Sequence, residues 1–228
     1  MTKKQLLERW KQRDFSWSQL SSWEYDPEQW YKRYVLREET HETEEMRFGK
    51  MIGEKVASDP KYLPFIKRLN VSEHPFKVMF GKIAMVGYGD FYCSITRRKL
   101  QELKTGVKAW NQKRADEHGQ IDMYLLMHYI TTQIKPEEVD CELIWLPTKR
   151  VEGGDFKVKI ALVEPVKNHH KIFKTKRTMQ DILIFGARIN RAYKEMEGYV
   201  NGRVSEKEIT KAVKALKSQK SGISILAD

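Results

Sequence analysis

Between Gly87 and Tyr124 the chain sets a lone aspartate, Asp90, about a dozen positions ahead of an acid-x-lysine triplet, Glu102-Leu103-Lys104. In an extended strand, residues two apart point to the same face. Glu102 and Lys104 therefore project together while Leu103 turns into the core. Such a strand needs one packed face and one face opened onto a polar site. With Asp90 on the adjacent strand, its carboxylate shares an oxygen-only site with Glu102, a donor set that suits hard magnesium or manganese ions.

The 228 residues fit one domain with extensions, or a domain and a half. With 40% hydrophobic residues, among them 9 Phe, 10 Tyr and 6 Trp, the chain can bury a sizeable core, which excludes wholesale disorder. A formal net charge of +11 favours a polyanionic partner, either nucleic acid or an anionic membrane surface. Cys93 and Cys141 lie far apart in apolar runs, so neither a disulfide framework nor a metal cluster is expected, and a cytoplasmic location follows. The opening Met-Thr-Lys-Lys lacks the apolar core of a signal peptide, and no run approaches the roughly 20 apolar residues of a membrane span.

Read along the chain, Ser16 to Tyr34 places Trp17, Leu20, Trp23, Trp30, Tyr31 and Tyr34 in helical register, with Ser16 as N-cap and Pro27 as a break. That face either packs on the core or offers a base-stacking platform. A second helix is expected from about Glu44 to Ala57, after an acidic stretch from Arg37 to Glu45. Val78 to Ser94 reads as two strands broken at Gly87 and Gly89, and a third strand spans Lys99 to Lys104. A helix runs within Ala115 to Thr132, strands follow at Glu142–Pro147 and Phe156–Val163 around a Gly153-Gly154 turn, and Met179 to Tyr199 is helical. Ser205 to Lys217 carries a helical capping pattern in a lysine-rich tail. The order predicts an α/β sandwich around a mixed sheet.

Three ordered elements carry a family resemblance: Gly87-x-x-Asp90, Glu102-x-Lys104-Thr105-Gly106, and Gln120-x-x-x-Tyr124. Together they resemble the PD-(D/E)xK nuclease superfamily, and within it the RecB-like group that includes CRISPR-associated and phage exonucleases. The stretch from Ser16-Trp17-Ser18-Gln19-Leu20 through Asp26-Pro27, Trp30-Tyr31 and Tyr34 is similar to the helix that opens these nucleases. The resemblance implies a restriction-endonuclease-like core: a central mixed β-sheet flanked by helices, with an N-terminal helical segment and C-terminal helices. It implies a single nuclease domain over residues 1–200, with a helical segment over 1–75, a sheet core over 76–165 and a C-terminal helix over 178–200, followed by a basic extension, 201–228. Relatives that bind an iron-sulfur cluster place Cys-Pro where this chain has Asp26-Pro27 and carry further cysteines near the C-terminus. Those ligands are missing here, so the expected cofactor is magnesium or manganese without an iron-sulfur cluster.

Phosphodiester hydrolysis needs an activated water, a stabilised transition state and help for the leaving oxygen. By the resemblance, Asp90 and Glu102 hold the metal with the backbone carbonyl of Leu103, and Lys104 contacts the scissile phosphate or orients the water. Glu54, in Phe48-Gly49-x-x-x-Gly53-Glu54, is the further metal ligand in a helix where relatives often place a histidine; otherwise it is a solvated glutamate. Gln120 and Tyr124 share a helix face one turn apart, and the resemblance puts that face beside the metal. His118 is read as a cap or surface group, and His169-His170 lacks a partner for a zinc site. The basic residues Lys171, Lys174, Lys176 and Arg177, within the run from Lys167, and the run Lys207 to Lys220, are either phosphate contacts or solvated faces. The expected activity is a metal-dependent DNA exonuclease acting on single strands or duplex ends in recombination, repair or phage DNA processing, with a helicase or recombination partner. An endonuclease of the same fold and a nucleic-acid-binding protein without chemistry are the alternatives.

Overall fold

A computed structural model of the chain describes residues 2–39, 43–59, 61–150, 163–165 and 169–202. These form two compact units, one made of residues 1–40, 79–85 and 186–228, the other of residues 41–78 and 86–185. The expected strand Phe156–Val163, its Gly153-Gly154 turn and the helix Ser205–Lys217 fall, all but Val163, outside the described residues.

The first unit begins with α1 (Lys3–Lys11), α2 (Trp17–Tyr25), α3 (Pro27–Trp30) and a π-helical stretch Tyr31–Leu36. Each start has a local cause. A capping box joins Thr2 and Gln5 at α1, Ser16 caps α2, and the Asp26 carboxylate takes the Glu28 and Gln29 N–H groups at 3.0 Å each, with Pro27 in the first turn where no N–H is needed. The α1 helix goes beyond the expected elements, because its sequence is polar and its apolar face narrow. Trp10, Trp23 and Trp30 are buried, with Trp30 edge-to-face against the other two, Trp10 tilted on Tyr193 and Trp23 edge-on to Tyr199 of the C-terminal helix α7 (Met179–Val200). Trp23 and Trp30 are thus core, and the stacking-platform alternative fails for them because their faces are covered.

The sheet is mixed and six-stranded among the described residues: β1 (Val71–Phe80), β2 (Ile83–Tyr92), β3 (Lys99–Gly106), β4 (Asp140–Arg150), β5 (Val163–Pro165) and β6 (Lys171–Thr175). Strands β2 and β3 pair antiparallel, β3 and β4 parallel, and the far edge of β4 carries β6 along its first half and β5 at its end, both antiparallel. Parallel neighbours require a crossover, here supplied by α5 (Gln112–Asp116) and α6 (Gly119–Thr132). The remaining helix of the second unit, α4 (Glu44–Ser58), buries Phe48, Ile52 and Val56 against Phe91, Leu103, Ile144 and Leu146.

Two expectations are corrected. The break between the first two strands lies at Gly81, whose φ of +60° makes the reversal easy, and not at Gly87 and Gly89, which sit inside β2. The segment expected to be a basic run holds a strand, β6, whose lysines at 171 and 174 fall on opposite faces and hide its β-pattern. No helix among the described residues is long and apolar enough to cross a membrane.

Candidate active site

Strand β3 decides the geometry. Its residues Leu100 to Leu103 are all buried, and Glu102, a carboxylate, is only 2% exposed. A buried acid is costly unless it is paired or neutralised, so its surroundings carry the chemistry. Leu103 points into the α4 layer, so Glu102 and Lys104 share the opposite face.

The β2–β3 register runs through Tyr92↔Leu100 and Phe91↔Gln101. One step further, the Asp90 carboxylate accepts the Leu103 N–H at 2.5 Å. A side chain thus occupies a place that a backbone carbonyl would take in a continued ladder. In an extended strand the N–H and C=O of one residue leave on the same edge, so the Leu103 carbonyl lies on the Asp90 side of β3.

From Glu102 a chain of hydrogen bonds crosses to α6. The Lys104 ammonium donates to Glu102 Oε1 at 2.6 Å and to Gln120 Oε1 at 2.7 Å. The Gln120 amide donates to the Tyr124 hydroxyl at 2.5 Å, and that hydroxyl donates to the Tyr88 carbonyl at 2.5 Å. No sequence signal marks the Tyr88 acceptor, since any residue type supplies a carbonyl. Gly87 explains how α6 comes so close: a Cβ there would stand 2.7 Å from Met127 Cε and 2.8 Å from Tyr124 Cε1.

The charges are unequal in their cost. Burial, then the charge of Asp90, push the Glu102 carboxyl up to about 8, against the pull of Lys104. Burial also raises Asp90, with Lys104 opposing. Burial, then Glu102, raise Tyr124 well above a normal phenol, so it stays a donor. Among the described residues, the second Glu102 oxygen is buried with no hydrogen-bond partner. Two coupled carboxylates, one with an orphaned oxygen, and a backbone carbonyl on the same edge form an all-oxygen donor set that fits a hard dication.

The remaining expected residues are not brought to this place. Glu54 is exposed on α4; it stands two positions from both Ile52 and Val56, about 200° around the helix from either buried side chain. The α4 helix packs on the Leu103 face, and among the described residues no three His, Cys, Asp or Glu side chains converge on a metal-sized site. Glu54 thus lies on the solvent side of α4 and does not join Asp90 and Glu102 in a three-acid group among the described residues. Arg177 is held elsewhere: it is 5% exposed, ion-paired with Asp122, and donates to the Thr175 hydroxyl and to the carbonyls of Lys176 and Ala115. It ties the end of β6 to α5 and α6. Lys171, Lys174 and Lys176 are exposed, with Lys176 3.3 Å from Asp140. His118 is no surface group; burial first, then the charge of Lys104, drive it down to about 3, and Trp110 meets it edge-on.

No family model and no curated protein matches the chain. Among solved structures, one from Eubacterium rectale, a "putative exonuclease", superposes with a TM-score of 0.55 at 9% identity, covering 90% of this chain and 85% of that one. The likeness is one of fold. It covers 90% of this chain and 85% of the other, so the helices around the sheet, as well as the sheet itself, belong to the shared fold.

Proposed function

We propose that this chain is a metal-dependent deoxyribonuclease of the PD-(D/E)xK type, acting as an exonuclease. The observation that carries the reading is the Asp90, Glu102 and Lys104 cluster, buttressed by Gln120 and Tyr124. Its support comes from a fold shared with a protein described as an exonuclease and from a net charge of +11, which favours a polyanionic substrate.

Asp90, Glu102 and the Leu103 carbonyl would hold magnesium or manganese, which when bound polarises the phosphoryl oxygen and lowers the pKa of water. Lys104 has three donor hydrogens. Two go to Glu102 and Gln120, and the third is left to orient the attacking water or to bind a phosphate oxygen as negative charge builds there. Gln120 holds the ammonium in line, and Tyr124 holds Gln120. The exposed lysines of β6 would take backbone phosphates.

The test is incubation of purified protein with end-labelled linear, nicked and circular DNA under magnesium, manganese or chelator. The expected result is metal-dependent loss of nucleotides from linear and nicked substrates, with circles spared. Asp90→Asn, Glu102→Gln and Lys104→Ala should each remove activity by orders of magnitude, and their combinations little more. Cleaved circles would point to an endonuclease, and no turnover with any metal would leave binding alone.

A further inference from the structure

Next to the site lies a groove of about 460 Å³, lined by His74, Phe76 and Lys77 of β1, Tyr88 and Tyr92 of β2, and Thr131 near the end of α6. That volume falls in the range of small-ligand pockets, roughly 300–1,000 Å³. Its floor is rigid. Tyr92 and Phe76 are buried, the Tyr92 hydroxyl lies 3.1 Å from His128 Nε2, and Phe76 is stacked at 5.6 Å on Tyr124 of the site itself. Its rim is another matter: the Tyr88 side chain is 53% exposed, although its own carbonyl is fixed by the Tyr124 hydroxyl. His74 stacks on Tyr92 at 4.1 Å, and neither of its ring nitrogens has a hydrogen-bond partner among the described residues. Lys77, exposed beside them, makes no ion pair among the described residues.

We propose that this groove is a nucleobase subsite, holding one unpaired base of a single-stranded nucleic acid whose neighbouring phosphate lies at Asp90, Glu102 and Lys104. The inference rests on the nuclease reading and adds what that reading does not contain, the place and means of holding the strand. Three features select a base over another occupant. Aromatic faces, one of them exposed, accept any base by stacking. Unused imidazole nitrogens and the Thr131 hydroxyl meet a base's polar edge. Lys77 lines the same groove and is exposed, so it offers a cation to a neighbouring phosphate, in a chain of net charge +11. The shared residues Tyr88 and Phe76 make groove and catalytic cluster continuous, so a seated base fixes the register of the phosphate.

Binding is measured with the full chain in the Asp90→Asn background, using a short single-stranded oligodeoxynucleotide carrying one 2-aminopurine, moved position by position from the end. The expected result is quenching at one position near the end, with binding weakened about five- to hundredfold by Tyr88→Ala, the loss of one stacked base at ~1–3 kcal/mol. Tyr88→Phe, which keeps the ring, should restore it. An oligonucleotide abasic at that position should bind the Asp90→Asn parent as weakly as the intact strand binds Tyr88→Ala in that background. Equal affinity of Tyr88→Ala, His74→Ala and the parent for intact and abasic strands would overturn the subsite, even where the wild type cleaves DNA. Position-specific quenching in a protein without metal-dependent cleavage would uphold the subsite and remove the hydrolytic reading.

Discussion

The Asp90 carboxylate accepts the Leu103 N–H at 2.5 Å just past the paired stretch of β2 and β3. One contact thereby places an acid beside Glu102 and holds the edge of β3 that carries the Leu103 carbonyl. The acid that the chemistry asks for is also the group that ends the ladder.

The coupled acids predict a pH-dependent stability. Glu102 titrates at about 8 in the fold against 4.5 ordinarily. The folded state thus keeps a proton that the unfolded chain gives up, so this contribution is fully present below about pH 4.5 and is lost as pH rises through about 8. Magnesium held at the pair, as proposed, would displace that proton. The rise in melting temperature on adding magnesium should be larger near pH 9 than near pH 6, with proton release to the buffer only at the lower pH. Glu102→Gln should flatten the metal-free profile. Equal magnesium shifts at both pH values would show that the pair holds no proton.

On the proposed reading, Gln120 and Tyr124 act through Lys104, to which they are joined by hydrogen bonds. Tyr124→Phe leaves the Tyr88 carbonyl and the Gln120 amide short of partners, each worth ~1–3 kcal/mol when buried. We expect kcat to fall about ten- to a hundredfold in Tyr124→Phe and Gln120→Ala, while magnesium affinity by calorimetry stays within about twofold. A drop in metal affinity matching the loss in rate would instead make them part of the metal site.

Gly87→Ala should separate α6 from β2. The added carbon meets the Tyr124 ring at 2.8 Å, and a ring edge yields less readily than the methionine terminus beside it. Overpacking of this kind costs ~1–3 kcal/mol. The expected variant is folded, less stable by denaturant titration, and impaired in cleavage; unaltered stability and rate would show that α6 can shift freely.

Arg177 and the β6 lysines should behave oppositely. Arg177→Ala removes the buried ion pair with Asp122 and should cost ~3–5 kcal/mol. The salt dependence of DNA binding, measured at a temperature where the variant is folded, should stay unchanged. Neutralising Lys171, Lys174 and Lys176 together should leave stability intact and flatten that dependence by about 0.7–0.9 per lost phosphate contact. A triple variant with the parental slope would make β6 a solvated edge.

By itself the sequence determined the strand that carries Glu102 and Lys104, the helix that carries Gln120 and Tyr124, and the α/β layering, because each is marked by residues close in the chain: an acid and a lysine two apart on the strand, a glutamine and a tyrosine four apart on the helix. It also marked the tryptophans, although not which of them would be covered. The tertiary structure alone decided how those pieces meet. Glu54 matches a local pattern, yet the packing of Ile52 and Val56 turns it to solvent. Arg177 resembles one more surface cation, and only the approach of α6 to the end of β6 gives it Asp122 and a buried place. The turn at Gly81 and the close approach at Gly87 are easily exchanged on sequence alone, since a glycine reads alike whether it supplies a positive φ or an absent side chain. The difference lies in what stands opposite, which here is Tyr124, 37 positions along the chain from Gly87.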